Sequence, residues 1–358
     1  MELDTFNQFL SGAVNIGASD IHFKVGSPPA VRVAGTLKPV RVPALQPEDT
    51  EQIASHVLEA ARFSGELDRL REFDASYALE GVGRFRAAIF RQMGHLAIML
   101  RVIPLNVPTL ERLGLPAVAQ KIAGTERGLV LVTGATGMGK TSTLAAIVDH
   151  INKSEARHII TIEDPVEYVH QDATARITQR EVGPDTASFR DALRSALRQD
   201  PDVILVGEMR DLDTMDIAIK AAETGHLVLS TMHTIDVGQT VSRIVGTYPP
   251  SAQTGVRLRL SEVLAAVISQ RLVPRADGQG RALAAEIMVT TLGIQEAIRN
   301  SDKTQEIEDI LASGHDIYGT QTFDQHLAEL FRAKIISMEE ALEAASNPSD
   351  FERAMMLT

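Results

Sequence analysis

Gly134-Ala-Thr-Gly-Met-Gly-Lys-Thr141 decides the reading of this chain. The eight residues keep the spacing G-x-x-x-x-G-K-[ST]. In such a loop the glycines turn successive backbone N–H groups toward phosphate oxygens at the positive end of a following helix. The flanks agree with that reading. Gly128-Leu-Val-Leu-Val-Thr133 reads as a buried strand, and Thr143-Leu-Ala-Ala-Ile-Val-Asp-His-Ile151 has helical spacing without a breaker. Lys140 is placed to reach the β- and γ-phosphates, and the Thr141 hydroxyl to ligand Mg²⁺. Gly134, Ala135, Thr136, Gly137, Met138, Gly139, Lys140, Thr141 and Ser142 are the candidate nucleotide-binding set. ATP and Mg²⁺ are the expected ligand and ion.

The 358 residues leave room for two domains, and 44% hydrophobic with 23% charged content suits a globular protein. A formal net charge of −12 argues against a general nucleic-acid binder. Cysteine is absent, which excludes disulfides and Cys-based zinc or iron–sulfur sites and fits a reducing compartment. Met1-Glu-Leu-Asp-Thr opens no basic-plus-apolar leader, and no apolar run approaches the ~18 residues of a membrane span. The expectation is a soluble cytoplasmic protein.

From about 116 to 290 strand and helix patterns alternate. Strands are expected at Leu129–Thr133, His158–Ile162, Val203–Val206, Leu227–Ser230 and Ala284–Met288. Helices are expected at Thr141–Ile151, Thr186–Arg198, Thr214–Glu223, Val237–Val245 and Ser251–Ser269. Near-continuous apolar strands predict an α/β fold with helices on both sheet faces, whose ligands bind beyond the carboxyl ends of the strands. Residues 1–103 lack that rhythm. Short strands around a helix over Asp49–Leu70 predict a smaller α+β domain with an antiparallel sheet. Pro104-Leu-Asn-Val-Pro108 starts a linker over 104–115, and 116–358 forms the nucleotide domain with its C-terminal helices. In that tail Phe323, Leu327, Leu330 and Phe331 form an apolar stripe expected to pack on the nucleotide domain.

Several polar residues stand where such a sheet would put them to use. Val203-Ile-Leu-Val-Gly-Glu208 is an apolar strand ending in a carboxylate, which could serve the Mg²⁺ shell, partly through water, or polarise an attacking water. Glu163 ends another strand and either orients water or belongs to a solvated acidic turn. His226 and His233 bracket a third strand, where each is a γ-phosphate contact or a structural histidine. Arg84 and Arg86 share a strand face in the first domain, with Arg101 on another strand. They are either arginines delivered to phosphates or members of surface ion pairs.

Taken together, the motifs resemble the PilT-type retraction ATPases of type IV pili, within the secretion ATPase superfamily. The matching pieces are Gly17-Ala-Ser-Asp-Ile-His22, Gly83-Arg-Phe-Arg86, the phosphate loop, Ile160-Thr-Ile-Glu-Asp-Pro-Val-Glu167, Gln179-Arg-Glu-Val-Gly183, Asp200–Arg210, Thr224–Thr234, Gln270-Arg-Leu-Val-Pro274 and Gly319–Asp324. The resemblance implies a PAS-like domain over 1–103, a RecA-like P-loop ATPase domain, and a homohexamer. It implies Glu163, Glu208, His233, Arg86 and Arg101 as catalytic residues, with His226 at the nucleotide. It implies an inner-membrane platform protein of the pilus machine as partner, a cytoplasmic location peripheral to that membrane, and twitching motility as the process served. The loop reads Gly137-Met-Gly-Lys-Thr-Ser142 where the family usually has Gly-Ser-Gly-Lys-Ser-Thr, and the hydroxyl at 141 is preserved. Gly293-Ile-Gln-Glu-Ala-Ile-Arg299 departs from the family's retraction-associated stretch, and the Gly-Ala-Thr-Gly of the loop resembles PilU-type accessory paralogues. An accessory ATPase dependent on a paralogous retraction ATPase, or a hexameric nucleic-acid motor, are the alternatives; no nucleic acid is expected.

Overall fold

The computed structural model describes residues 1–33, 35–61, 63–103 and 107–356. The chain divides into two compact units, Met1–Asn106 with Glu167–Val169, and Val107–Val166 with His170–Thr358. Of the linker expected at 104–115, residues 104–106 lie outside the described ones. Leu110 and Leu115 are buried in the core of the second unit, so that part of the stretch is packed structure.

The first unit runs α1 (Leu3–Asn15), β1 (Ala18–Lys24), β2 (Ala30–Val33), β3 (Thr36–Pro39), α2 (Pro47–Ala60), β4 (Glu72–Leu79), β5 (Gly83–Gln92) and β6 (His95–Ile103). Its six strands form one antiparallel sheet in the order β3-β2-β1-β6-β5-β4. Phe6 and Leu10 of α1 and Ile53 and Val57 of α2 meet Ile21, Phe23, Phe85, Ile89 and Ile98 of the sheet in a single core. This is the expected α+β unit. The helix expected over Asp49–Leu70 is shorter: α2 ends at Ala60, and residues 67–69 form a separate 3-10 turn.

The second unit continues with α3 (Val118–Ala123), β7 (Gly128–Thr133), α4 (Lys140–Ser154), β8 (His158–Glu163), β9 (Arg176–Glu181), α5 (Phe189–Ala196), β10 (Val203–Val206), α6 (Leu212–Glu223), β11 (Leu227–Met232), α7 (Val237–Gly246), α8 (Gln253–Val263), β12 (Leu264–Pro274), β13 (Arg281–Val289), α9 (Leu292–Arg299), α10 (Ile307–Ser313), α11 (His315–Tyr318), α12 (Phe323–Arg332), α13 (Met338–Ala344) and α14 (Pro348–Met356). The seven-stranded sheet has the order β13-β12-β7-β11-β10-β8-β9 and is parallel except for the edge strand β13. Helices cover both faces. Leu129 and Leu131 of β7 face one core with α5–α9, and Val130 and Val132 face another with α3 and α4. Two buried faces explain why β7 and β10 are nearly continuous apolar runs and why every residue of β11 is buried.

The one helix expected over Ser251–Ser269 is corrected. It stops at Val263, and Leu264–Pro274 becomes the strand beside β7. A strand buried on both faces has no alternation, so periodicity cannot tell it from a buried helix. The expected apolar stripe of the tail holds: Phe323, Leu327 and Leu330 are buried against Val273, Ala282 and Ala284.

Candidate active site

Strand order turns scattered motifs into one edge. The carboxyl ends of β7, β11, β10 and β8 lie side by side, and they carry in turn the phosphate loop, His233, Glu208 and Glu163. Parallel strands point the same way, so every residue that follows a strand end emerges on that edge.

The loop leaves β7 at Gly134, whose φ is 141°. A Cβ at Gly134 would stand 2.6 Å from the carbonyl oxygen of Gln270 on β12, so only glycine lets the two backbones pass. The loop ends at Gly139, which caps α4. Lys140 is buried, and its Nζ donates to the carbonyls of Gly134 at 2.7 Å and Ala135 at 3.0 Å. The ammonium thus already lies across the cradle of the loop. Burial lowers its pKa and the Glu208 carboxylate works against that shift. Thr141 sits in the first turn of α4, directly after Lys140.

Glu208 follows β10 across Gly207. A Cβ at Gly207 would come within 3.3 Å of the Ile162 carbonyl, while the Gly207 amide donates to that same oxygen at 2.8 Å. The Glu208 carboxylate is held from two sides, by Arg210 Nε at 2.8 Å and His233 Nε2 at 3.0 Å. A carboxylate only accepts, so Nε2 of His233 carries the proton in this contact. Thr231 Oγ1 donates to the Gly207 carbonyl at 2.7 Å and ties the end of β11 to this turn. Glu163, at the end of β8, accepts from Thr161 Oγ1 at 2.7 Å and from Gln179 Nε2 at 3.2 Å. Thr161 and Gln179 are register partners on β8 and β9.

His226 and His233 lie at opposite ends of β11. His226 precedes β11, whose first residue Leu227 pairs with Gly128 at the start of β7 and whose last, Met232, pairs with Thr133 at its end. Seven residue steps of extended chain separate it from His233, about 23 Å at 3.3 Å per residue. It therefore lies on the amino edge of the sheet, away from the phosphate loop of its own chain. There Nδ1 donates to the Ala221 carbonyl at 2.9 Å. Its neighbours in a cleft of about 370 Å³ include Arg127, Arg157 and Asp202.

Arg86 and Arg101 belong to the first unit, where β5 and β6 put them directly opposite each other. Opposed like charges are unfavourable on a sheet unless an anion answers them. Asp20, the register partner of Arg101 on β1, supplies part of that answer, with Arg101 Nε at 3.0 Å from its carboxylate. Burial would raise the Asp20 pKa, yet the hydrogen bonds from Arg101 and Ser19 leave it below the usual carboxylate range. Arg86 reaches Asp74 only at 3.9 Å and both arginines stay largely exposed.

The residues present fit a bound Mg²⁺ nucleotide. Gly134 provides a cradle that a side chain would close, Lys140 supplies a buried cation, and Thr141 would offer a hydroxyl. Among the described residues no group of three or more His, Asp or Glu side chains is placed to hold a metal ion.

The model of the family described as type II/IV secretion system protein matches residues 3–352. The chain belongs to this family. It is 42% identical to the type IV pilus retraction ATPase PilT of Pseudomonas aeruginosa over 344 residues, covering 96% of this chain and 99% of that protein. It is 39% identical to the type IV pilus ATPase PilU of the same organism over 354 residues, covering 98% and 91%. A solved structure of the pilus retraction motor PilT with bound ADP superposes with a TM-score of 0.89 at 44% identity, covering 97% of this chain and 98% of that one. The RecA-like ATPase fold follows from these matches together with the observed sheet.

Arg210 and Gln179 are site residues that the sequence did not single out. Both lie inside quoted motifs, but their partners become visible only with the strand order. Among the described residues no helix is long and apolar enough to cross a membrane.

Proposed function

We propose that this protein is a Mg²⁺-dependent ATPase that acts as a ring of six copies and powers retraction of type IV pili. The observation that carries this reading is the row of Lys140, His233, Glu208 and Glu163 on adjacent strand ends, in a chain similar to PilT over nearly its whole length. Lys140 would leave the loop carbonyls for the β- and γ-phosphates, and Thr141 would ligand Mg²⁺, which when bound neutralises phosphate charge. Glu208 and Glu163 would orient a water in line with the γ-phosphorus and accept its proton. The water oxygen then bonds to phosphorus as the bond to the β–γ bridging oxygen breaks, leaving ADP and phosphate. Arg86 and Arg101, from the same or another copy, would meet charge growing on the phosphoryl oxygens.

The partner in this reading is the inner-membrane platform protein of the pilus machine, which places the ring at the cytoplasmic face of that membrane. The test is a strain lacking this protein, scored for twitching motility and for surface pili. Lost motility with pili retained, restored by the wild-type protein and not by a Lys140→Ala variant, supports the proposal. Unchanged motility overturns it.

A further inference from the structure

Glu286 has no place in that chemistry, yet it is a carboxylate only 5% exposed in the middle of β13. Its Oε1 accepts the Val237 amide at 2.7 Å. Val237 opens α7, and the four residues before it, His233–Asp236, carry the histidine that holds Glu208.

The register shows what this bond spans. Met232 pairs with Thr133, Thr133 with Ser269, and Ser269 with Glu286, so one row crosses β11, β7, β12 and β13. Three gaps between strands make about 14 Å. Five Cα steps from Met232 to Val237 reach at most about 18 Å. The Glu286 side chain bridges part of that width, and the segment passes over the end of β7, where the phosphate loop leaves the sheet. Its Ile235 lines a cavity of about 440 Å³ together with Ala135 and Met138 of the loop. The other bonds at the start of α7, Asp236 to the Gln239 amide and Thr234 to Thr240, stay within the helix and its approach. The bond to Glu286 ties that start to the sheet.

We propose that Glu286 is a positioning residue of the hydrolytic site: by accepting the Val237 amide it fixes the far end of the His233–Asp236 segment and so holds His233 on Glu208. The cost of the arrangement supports it. Burial pushes the Glu286 carboxyl up to about 7, Asp236 and Glu308 add to the shift, and the Val237 amide and Arg271 oppose it. A carboxylate buried against a single backbone amide is costly to keep, which points to work other than stability. The inference rests on the proposed ATPase reading only through His233 and Glu208.

The test uses the full-length protein and three variants. Glu286→Gln keeps an acceptor for the Val237 amide. Glu286→Met fills the space without one. Val237→Pro removes the donor at the first helical position, which proline tolerates, and keeps the experiment decisive if the methionine variant does not fold. Steady-state ATP turnover and amide exchange of the 233–240 segment in nucleotide-free protein are the readouts. Glu286→Met and Val237→Pro should lower kcat about tenfold with KM within twofold, and should speed exchange of the segment at least tenfold. Glu286→Gln should stay within about threefold of wild type in both. In a His233→Ala background Glu286→Met should cost nothing further, because both act through one contact. Wild-type exchange in both Glu286→Met and Val237→Pro overturns the anchor, and so does a fully additive double variant. The exchange arm needs no turnover, so a wild-type protein that fails to hydrolyse ATP would count against the functional reading and not against the anchor.

Discussion

Replacing Gly134 by alanine tests the phosphate loop through a clash that the structure defines. The new Cβ would stand 2.6 Å from the Gln270 carbonyl oxygen and 3.4 Å from Met138 Cβ, where contacts under 3.0 Å essentially never occur. The loop or β12 must therefore yield by at least 0.4 Å, the difference of 3.0 and 2.6. The φ of 141° adds strain for any residue with a Cβ, of order 1–3 kcal/mol. At roughly 2–4 °C per kcal/mol for a unit of this size, unfolding without nucleotide should come several degrees earlier. The same displacement moves the N–H groups meant for phosphate and the carbonyl that Lys140 now occupies. ATP affinity should fall tenfold to a hundredfold, about 1.4–2.7 kcal/mol. Titration with a fluorescent ATP analogue and thermal unfolding measure the two effects. Gly246→Ala, at the end of α7 with nothing within 4 Å of the added Cβ, is the control and should leave ATP affinity unchanged without lowering the melting temperature. A Gly134→Ala protein with wild-type affinity and wild-type melting would refute the close approach of the two backbones.

Three further substitutions separate the parts of the sheet. The folded-state pKa of Glu286 stands at about 7, above its ordinary 4.5, so the folded protein binds the extra proton between those values. Stability through this group therefore falls as pH rises from about 4.5 to 7, by about 3 kcal/mol in the limit. Glu286→Gln should accordingly raise the melting temperature more at pH 8 than at pH 5, and an equal gain at both would contradict the burial argument. His226→Ala should leave nucleotide affinity within about twofold, since that side chain lies on the amino edge of the sheet, whereas His233→Ala should lower turnover at least tenfold through the loss of its contact with Glu208; equal losses of turnover in both would overturn this placement.

Much of the site was legible because each part announces itself locally. The phosphate loop has a fixed spacing, and β7, β10 and β11 are largely apolar runs whose next polar residues emerge on the ligand edge. What stayed hidden depends on which strands are neighbours. Spacing along the chain cannot show that β11 lies between β7 and β10, and that insertion is what brings His233 onto Glu208 and leaves His226 behind. Two strands escaped for opposite reasons. β12 is apolar on both faces and passes for helix, while β9, Arg176-Ile-Thr-Gln-Arg-Glu181, is a polar edge strand that passes for loop. A signal for Glu286 was present in Ala282-Leu-Ala-Ala-Glu-Ile-Met288, where an acid interrupts an apolar run and is therefore buried with a partner. The partner, an amide 49 residues away, is not readable from the run itself.

The central claim is that the Glu208 carboxylate, held between Arg210 and His233, activates the water that attacks ATP. Glu208→Gln keeps the shape of the side chain and removes its basicity. ATP binding and the rate of phosphate release, measured side by side on this variant and the wild type, test the claim most directly. The account predicts binding within about threefold of wild type and turnover lowered at least a hundredfold. Phosphate release at the wild-type rate would contradict it.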